Sequence, residues 1–215
     1  MFRSLKEKVL PAHSAVLVVD VQNDYLADGG AFDRLSLDVR GAREIVEPLQ
    51  SVIHRAEEVG TKTIYICYEQ SPSTESDVYL EQRARSRGDE PICQKDSWGA
   101  GLFLLEPKEH DILITKHRYS GFVGTDLDLV LRSAGIRTLI MTGVASSGCV
   151  EATAHDGFMR DYYIVFLGDC TASYNLARHN ATLSNIEDAY GVVVDSGTLI
   201  DAWRAMPLGG CSDGR

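Results

Sequence analysis

The sequence predicts an α/β fold of three layers, in which helices cover both faces of a mostly parallel sheet, as a single domain over residues 1–215. Short apolar runs rich in Val, Ile and Tyr recur along the chain, without the polar alternation of a strand that has one face in water. Segments with a helical apolar period fill most of the intervals between these runs. Strands that alternate with helices are typical of parallel sheets, and no internal repeat or linker divides the chain.

Six apolar runs have the length and composition of buried strands. The first lies near the N-terminus, and the others follow at intervals that leave room for a helix or a loop. The predicted strands are Ala15–Val19, Thr63–Tyr68, Ile112–Thr115, Thr138–Thr142, Ile164–Leu167 and Val192–Val194.

Helices are predicted in four of the intervals. Apolar residues from Ile45 to Val59 lie on one helical stripe that Gly60 ends, and Pro48 indicates that the regular helix begins close to it or is kinked there. A second helix begins with a capping pattern at Thr125 and ends at Gly135. The remaining two are predicted over Val150–Tyr162 and Ala177–Tyr190.

Three segments have neither pattern. Asp24–Asp38 is predicted to be irregular, and so is the long, charged segment Glu69–Trp98. We interpret Glu69–Trp98 as a solvated excursion, with a lid or a subunit contact as the alternatives. Residues Gly209–Arg215 are predicted to form a frayed tail.

The charge of the chain limits its partners. A formal net charge of −10, from 31 acidic and 21 basic residues, repels phosphate backbones and anionic lipid, so we expect neither a nucleic-acid nor a membrane partner. The N-terminal residues mix Lys and Glu and have no apolar run of signal-peptide length. The longest apolar stretch, Ala15–Val19, is too short to span a bilayer. We therefore expect a cytoplasmic protein.

The five cysteines are widely spaced, odd in number and free of CxxC pairs, which excludes a disulfide framework or a zinc knuckle and fits a reducing compartment. Cys67 and Cys170 are predicted to be core residues, whereas Cys93 and Cys211 have no assigned role. The six histidines show no metal-ligand spacing, and no dinucleotide or phosphate loop is present. We therefore expect no metal and no cofactor.

Chemistry is predicted at the carboxyl ends of the strands, where open α/β sheets bind ligands. Asp20, Lys116 and Cys149 each follow a predicted strand. Because Cys149 opens a predicted helix, free N–H groups there would lower its thiol pKa and stabilise an oxyanion. Asp20 could then accept the thiol proton and Lys116 could steady the charges. The alternatives are a buried apolar cysteine, a turn or cap aspartate and a solvated lysine.

Three segments resemble the isochorismatase-like cysteine hydrolases: Ala15–Asp24, Ile114–Phe122 and Thr142–Glu151, the last followed by a helix of the same type. The resemblance extends from about Ala15 to Trp203. It implies a six-stranded parallel sheet and a catalytic triad, which falls here on Asp20, Lys116 and Cys149. It also implies a cis peptide between Val144 and Ala145, with an oxyanion hole formed by the backbone N–H groups of Ala145 and Cys149.

Two further sequence motifs limit which reaction of this family is expected. Nicotinamidases of this family hold a metal with Asp and His after the second strand, and Tyr68–Pro72 lacks those histidines, so the resemblance implies no metal. The segments 118–122 and 179–186 resemble the branch of ureidoacrylate amidohydrolase, biuret hydrolase and N-carbamoylsarcosine amidase. Relatives are usually oligomers, so a homodimer or homotetramer is expected.

We therefore expect a metal-independent amidohydrolase that cleaves a small ureido or carbamoyl amide through a thioester on Cys149 and releases ammonia. The alternatives are a thiol-based redox sensor that uses Cys149 and an amidase of the nicotinamidase type. Aromatic residues would wall the pocket, Gln22 and Asn23 would bind the substrate or brace the loop, and Arg118 would pair with a substrate carboxylate. The candidate substrate-binding residues are Gln22, Asn23, Tyr25, Trp98, Arg118, Tyr119 and Phe122.

Overall fold

The centre of the molecule is a sheet of six strands, all parallel, in the order β3-β2-β1-β4-β5-β6. The computed structural model describes residues 1–206. The chain order reverses between β1 and β4, which are neighbours and begin the two halves of the sheet. The strands are β1 (Ser14–Val19), β2 (Lys62–Tyr68), β3 (Ile112–Lys116), β4 (Thr138–Val144), β5 (Tyr163–Ala172) and β6 (Gly191–Val194).

Helices cover both faces of this sheet, as the sequence predicts. The short turns Pro11–His13 and Trp98–Ala100 are 3-10 helices, and Ser146–Val150 forms a single π-type turn. The α-helices are α1 (Leu5–Lys8), α2 (Asn23–Leu26), α3 (Ala31–Arg34), α4 (Val39–Arg43), α5 (Val46–Val59), α6 (Asp77–Arg87), α7 (Leu127–Ser133), α8 (Glu151–Phe158), α9 (Leu176–Ala189) and α10 (Ser196–Arg204).

Strand β1 shows why the sheet needs a layer on each side. Its side chains alternate between the two faces, and all six residues are buried. Val16 and Val18 belong to the core beneath α5 and α10, together with Leu49 and the fully buried Trp203. The intervening residues of β1 belong to the opposite core, which α7, α8 and α9 cover. A strand in the middle of this sheet is buried on both faces, which explains why the β1 sequence is an unbroken apolar run.

The helix ends follow the local sequence signals. In α5, Pro48 is the third residue of the helix, where its missing N–H leaves no hydrogen bond unmade. Gly60 ends α5 in the left-handed conformation, with a φ of 79°. At α7 the cap is Asp126, while the Thr125 hydroxyl accepts a hydrogen bond from the Leu127 N–H at 3.2 Å.

The two internal segments that were predicted to be irregular contain helices, so that prediction was wrong in part. Asp24–Asp38 includes most of α2 and all of α3, and Glu69–Trp98 includes α6. Helix α6 has no buried residue, and so it lacks the apolar stripe from which a helix is normally predicted. Gly209–Arg215 lies outside the described residues. Within residues 1–206, every helix is too short or too polar to cross a membrane.

Candidate active site

Asp20, Lys116 and Cys149 meet at the carboxyl edge of the sheet. Asp20 directly follows β1, where its N–H donates a hydrogen bond to the Ile66 carbonyl of the neighbouring strand at 2.8 Å. This bond continues the β1–β2 ladder by one residue and holds Asp20 with a φ of 52°, in the left-handed region. Aspartate tolerates that conformation better than most residues do. The carboxylate is 1% exposed.

Lys116 reaches Asp20 although β2 lies between their strands. Lys116 is the last residue of β3 and is paired in register with Tyr68 of β2. Its ammonium lies 5.2 Å from the centre of the Tyr68 ring, within cation–π distance. The Nζ atom is 2.8 Å from Asp20 Oδ2 and donates hydrogen bonds to Cys149 Sγ at 3.3 Å and to the Arg118 carbonyl at 3.1 Å. Lys116 thus joins the carboxylate to the thiol.

The turn after β4 brings Cys149 to the same point. Because β4 pairs with β1, Val19 lies opposite Gly143, and a Cβ on Gly143 would come within 2.0 Å of the Val19 carbonyl oxygen. Only glycine permits this approach, at a φ of 107°. The Val144–Ala145 peptide bond that follows is cis. The π-type turn Ser146–Val150 then carries Cys149 toward the edge of the sheet.

Burial dominates the titration of this cluster. It raises the pKa of Asp20, although the positive charge of Lys116 opposes the shift. For Lys116, burial is the largest single effect and lowers the pKa, but the charges and hydrogen bonds of Asp20 and Cys149 together outweigh burial, so the net shift of the Lys116 pKa is upward. Burial and, secondly, the negative charge of Asp20 raise the pKa of the Cys149 thiol to about 12, against the opposing effect of Lys116.

The expectation that a helix N-terminus lowers the Cys149 pKa is therefore wrong for the free protein. Cys149 lies two residues before α8, next to the Asp20 carboxyl group, and both burial and the charge of Asp20 disfavour a thiolate. At neutral pH the thiol is therefore neutral, and Lys116 is an ammonium that pairs with the Asp20 carboxyl group. Within residues 1–206 neither Asp20 oxygen accepts a well-aligned hydrogen bond beyond its ion pair with Lys116. Asp20 is thus free to accept a proton.

A cavity of about 530 Å³ opens onto Asp20 and Cys149. Tyr25, Tyr119 and Ala145, which are among the sequence-predicted residues, contribute to its wall. Tyr25 is held by aromatic contact, since its ring meets that of Phe32 edge-on at 4.8 Å. Phe32 in turn meets Tyr174 at 4.6 Å, so the three rings form a continuous wall.

Helix α6 supplies the side of this cavity that the sequence did not predict. Tyr79, Gln82, Ser86 and Arg87 all line it, and the Tyr119 hydroxyl donates a hydrogen bond to Gln82 Oε1 at 3.1 Å. The interpretation of Glu69–Trp98 as a merely solvated excursion is therefore wrong, because this segment forms part of the wall. The only signal in the sequence was the clustering of Tyr, Gln and Arg in a charged segment beside predicted site loops.

Gln22 and Asn23 brace the loop and do not line the cavity. Gln22 is fully buried: its amide donates hydrogen bonds to the carbonyls of Tyr68 and Ala100, and its side-chain oxygen accepts one from the Tyr68 N–H. Asn23 donates a hydrogen bond to the Trp98 carbonyl at 2.8 Å. Of the two roles considered for this pair, the bracing role matches these contacts.

Trp98, Arg118 and Phe122 also lie away from the cavity wall. Trp98 is 59% exposed, whereas Phe122 is buried in the core beneath α7 and α8. The Arg118 guanidinium donates hydrogen bonds to the carbonyls of Thr74 and His117 and stacks on Tyr79, which fixes it in a structural contact. None of these three predicted residues lines the cavity in this structure. Their proximity in sequence to the site did not bring their side chains into it.

The other cysteines are set apart from Cys149. Cys67 and Cys170 pack in or against the core beneath α5 and α10, as predicted for core residues, and burial raises the pKa of Cys67 to about 12. Cys93 is fully buried, and its N–H donates a hydrogen bond to Asp24 Oδ2 at 2.6 Å. Cys211 lies outside the described residues. Over residues 1–206, no group of three or more His, Cys, Asp or Glu side chains is arranged to hold a metal ion.

Comparison with known proteins identifies the family. A model of the isochorismatase domain matches residues 14–198. The ureidoacrylate amidohydrolase of Acinetobacter baylyi is 33% identical over 211 aligned positions, covering 92% of this chain and 86% of that protein. The cysteine hydrolase of Pseudomonas syringae pv. phaseolicola has the same fold, with a TM-score of 0.81, 24% identity and coverage of 92% and 95% of the two chains.

A third relative has a known structure as well as a named activity. The N-carbamoylsarcosine amidase of Thermoplasma acidophilum is 26% identical with a TM-score of 0.71, and the match covers 86% of this chain and 96% of that one. One class of protein combines this α/β fold with an aspartate, a lysine and a cysteine at the sheet edge, and the matches above belong to the same class. The chain belongs to the isochorismatase family and is a hydrolase.

Proposed function

We propose that this protein is a cysteine-dependent amidohydrolase that cleaves a C–N bond of a small ureido or carbamoyl amide. The comparisons support a hydrolase that acts on amide C–N bonds, since relatives similar over most of the chain are amidohydrolases. The observation that carries the mechanism is the position of Lys116 Nζ, 2.8 Å from Asp20 and 3.3 Å from Cys149. This contact places a base, a cation and a nucleophile in one buried cluster.

The reaction begins with the neutral thiol, because the pKa of Cys149 is about 12. When the substrate carbonyl lies against Cys149, the Asp20 carboxylate accepts the thiol proton as the sulfur bonds to the carbonyl carbon. The electron pair of the C=O double bond moves to oxygen. The N–H groups of Ala145 and Cys149, both of which belong to the cavity wall, would stabilise the resulting oxyanion.

Collapse of this tetrahedral intermediate breaks the C–N bond. The proton held on Asp20 passes to the departing nitrogen, so that a terminal amide leaves as ammonia and the acyl group stays on Cys149 as a thioester. In the second half of the reaction, Asp20 takes a proton from water while the water oxygen attacks the thioester carbon. The C–S bond then breaks, the sulfur recovers the proton from Asp20, and the acid product leaves.

Lys116 keeps the charge of the cluster balanced through both halves. While Asp20 is ionised, the ammonium pairs with it; when the proton moves from Cys149 to Asp20, the same ammonium stands beside the sulfur. A buried cation between the two groups lowers the cost of moving negative charge from one to the other. All the proposed proton transfers use side chains of this chain and water.

The cavity supports a small substrate. Its volume of about 530 Å³ lies in the lower half of the range of typical ligand pockets, and its wall is rich in aromatic rings. Tyr25 and Tyr174 have pKa values raised by burial, so both phenols stay neutral at physiological pH. Flat walls of neutral phenols suit a planar ureido group, which can stack on the rings and hydrogen-bond to hydroxyls.

The proposal is tested with a panel of ureido and carbamoyl amides. We expect Cys149→Ala to lower ammonia release by at least about 10³-fold, because removal of an attacking nucleophile abolishes covalent catalysis. Cys67→Ala, which removes a thiol from the core side of β2, serves as the matched control and should keep most of the activity. Intact-protein mass spectrometry of the rapidly quenched wild type should detect the acyl group on Cys149. Undiminished turnover by Cys149→Ala contradicts the proposal.

A further inference from the structure

The cavity contains more positive charge than is needed to balance the Asp20 carboxylate. Among the residues that line it, Asp20 is the only carboxylate, and Lys116 already balances that charge. Burial raises the pKa of the Cys149 thiol and of the Tyr25 and Tyr174 phenols, so these groups are neutral at physiological pH, whereas Arg87 and Arg178 also line the cavity. In a chain whose formal net charge is −10, this local excess of positive charge favours an anionic group on the ligand.

Arg87 is the one of these two arginines that is held inside the wall. It is the last residue of α6 and is partly buried, while Arg178 is exposed. The Arg87 guanidinium lies over the Phe32 ring at 5.3 Å, and Phe32 is fixed between Tyr25 and Tyr174. Stacking on an aromatic ring orients the plane of the guanidinium and leaves its N–H edge open to a ligand.

Two neighbouring arginines each have a hydrogen-bond partner for part of the guanidinium, whereas Arg87 has none among residues 1–206. Arg83 pairs with Glu75 at 2.9 Å, and Arg118 donates to two backbone carbonyls. Over residues 1–206, Arg87 forms neither an ion pair nor a hydrogen bond with another residue. The Arg87 guanidinium is a partly buried cation with five N–H donors, so a hydrogen-bond acceptor would stabilise it. A carboxylate fits the planar guanidinium and can accept two parallel hydrogen bonds from it.

We propose that Arg87 binds the carboxylate of a ureido acid, so that the enzyme selects anionic over neutral ureido amides; this inference rests on the proposed function. Arg87 takes the carboxylate-binding role that was expected of Arg118, whose Nη1 donates to the carbonyls of Thr74 and His117 instead. The ureido end of the substrate lies at Cys149 and its carboxylate at the end of α6. A neutral substrate such as biuret leaves the Arg87 donors without an acceptor and is therefore disfavoured.

The experiment compares 3-ureidoacrylate with an analogue in which a hydroxymethyl group replaces the carboxylate. Binding of both compounds to Cys149→Ala protein is measured by calorimetry, with and without Arg87→Gln. We expect Arg87→Gln to weaken binding of the carboxylate about 10- to 100-fold, the range for a hydrogen-bonded charged pair, and to leave the analogue within about twofold. Arg87→Lys should be intermediate, because it keeps the charge and loses the fork.

Arg85→Gln is the matched control, since Arg85 is exposed on the same helix and does not line the cavity. It should leave both affinities unchanged. Equal effects of Arg87→Gln on the two compounds, no effect on either, or no measurable binding of the carboxylate overturn the inference. Turnover by the wild-type enzyme distinguishes failure of this inference from failure of the proposed function. If the carboxylate binds through Arg87 but the wild-type enzyme does not hydrolyse the compound, the amidohydrolase function is contradicted while the carboxylate site at Arg87 is supported.

Discussion

The two sides of the cavity are built differently. On one side, Asp20 directly follows β1, Lys116 ends β3 and Cys149 lies in the turn after β4. The side chains of Asp20 and Lys116 are buried, and that of Cys149 is partly buried. On the other side, α6 presents Tyr79 and Arg87 from a helix that has no buried residue. The proposed catalytic residues thus lie at the sheet edge, whereas the proposed substrate contacts lie on a helix that has no buried residue.

This difference predicts that changes at the sheet edge alter both catalysis and stability, whereas changes on α6 alter substrate binding and leave the fold intact. A buried ion pair is costly to break, because removal of one partner leaves the other charge uncompensated. An exposed helix makes few tertiary contacts, so their loss changes the global free energy of unfolding little.

The largest effect is expected for Lys116→Met. The substitution leaves the Asp20 carboxylate buried without its cation, which should cost about 3–5 kcal/mol of unfolding free energy. It should also lower kcat about 10²- to 10⁴-fold, because the base loses the charge that keeps it ionised. Urea unfolding at neutral pH and ammonia release measure the two effects.

A second substitution separates the contribution of the Asp20–Lys116 ion pair to stability from its contribution to catalysis. Asp20→Asn in the Lys116→Met background removes the uncompensated charge, so most of the stability should return while activity stays absent. Arg132→Met is the control, since its exposed pair with Asp128 should contribute less than about 1 kcal/mol. Recovery of activity in the double variant would show that Asp20 is not the base.

An intermediate effect is expected from pH. Because Asp20 must be ionised to accept a proton, kcat/KM should fall as the pH drops through the Asp20 pKa, which burial raises above its ordinary value. The reacting thiol is neutral, and its pKa of about 12 predicts no loss of kcat/KM from thiol ionisation up to about pH 10. The profile should therefore rise on the acid side and stay level above it.

Spectroscopy of the free protein supplies the check on this profile. The thiolate absorbance that Cys149→Ala removes should be missing at neutral pH and develop only in strongly alkaline solution. A thiolate signal at neutral pH, or a kcat/KM that increases in step with thiol ionisation near the ordinary cysteine pKa, would contradict a resting neutral thiol. Either result would move the role of Asp20 from base to orienting group.

The same contrast explains what the sequence could and could not predict. Asp20 and Lys116 directly follow apolar runs, and Cys149 follows another after a turn of small residues. The rule that ligands bind beyond the carboxyl ends of parallel strands brings their positions together. The reach of Lys116 across β2 and the neutral thiol depend on distances and burial, which no local pattern contains. The helix-terminus argument predicted the opposite pKa shift, because it considered α8 alone and not the burial around Cys149.

The substrate side was harder to predict for a physical reason. Arg118 is close in sequence to Lys116, yet its guanidinium turns to the carbonyls of Thr74 and His117. Arg87 reaches the cavity through the packing of a helix whose residues are all exposed or partly exposed. Periodicity detects helices that bury a stripe, and α6 buries none, so neither the helix nor its contribution to the wall was predictable.

The smallest effect is expected for Ser76→Ala at the start of α6. The Ser76 hydroxyl accepts a hydrogen bond from the Tyr79 N–H at 3.4 Å, and loss of such a cap costs about 1 kcal/mol of helix stability. Since no residue of α6 is buried, the global unfolding free energy should change by less than about 0.5 kcal/mol. Amide hydrogen exchange should become roughly fivefold faster in α6 alone, and KM should rise while kcat stays nearly constant.

Ser4→Ala supplies the matched control, because Ser4 caps the short helix α1 in the same way, accepting a hydrogen bond from the Glu7 N–H at 3.3 Å. It should leave KM unchanged, since α1 does not contribute to the cavity wall. Equal KM values for wild type and Ser76→Ala, despite faster exchange in α6, would show that substrate binding does not depend on the order of this helix. A drop in kcat as large as that of Lys116→Met would show instead that α6 belongs to the same rigid unit as the sheet edge.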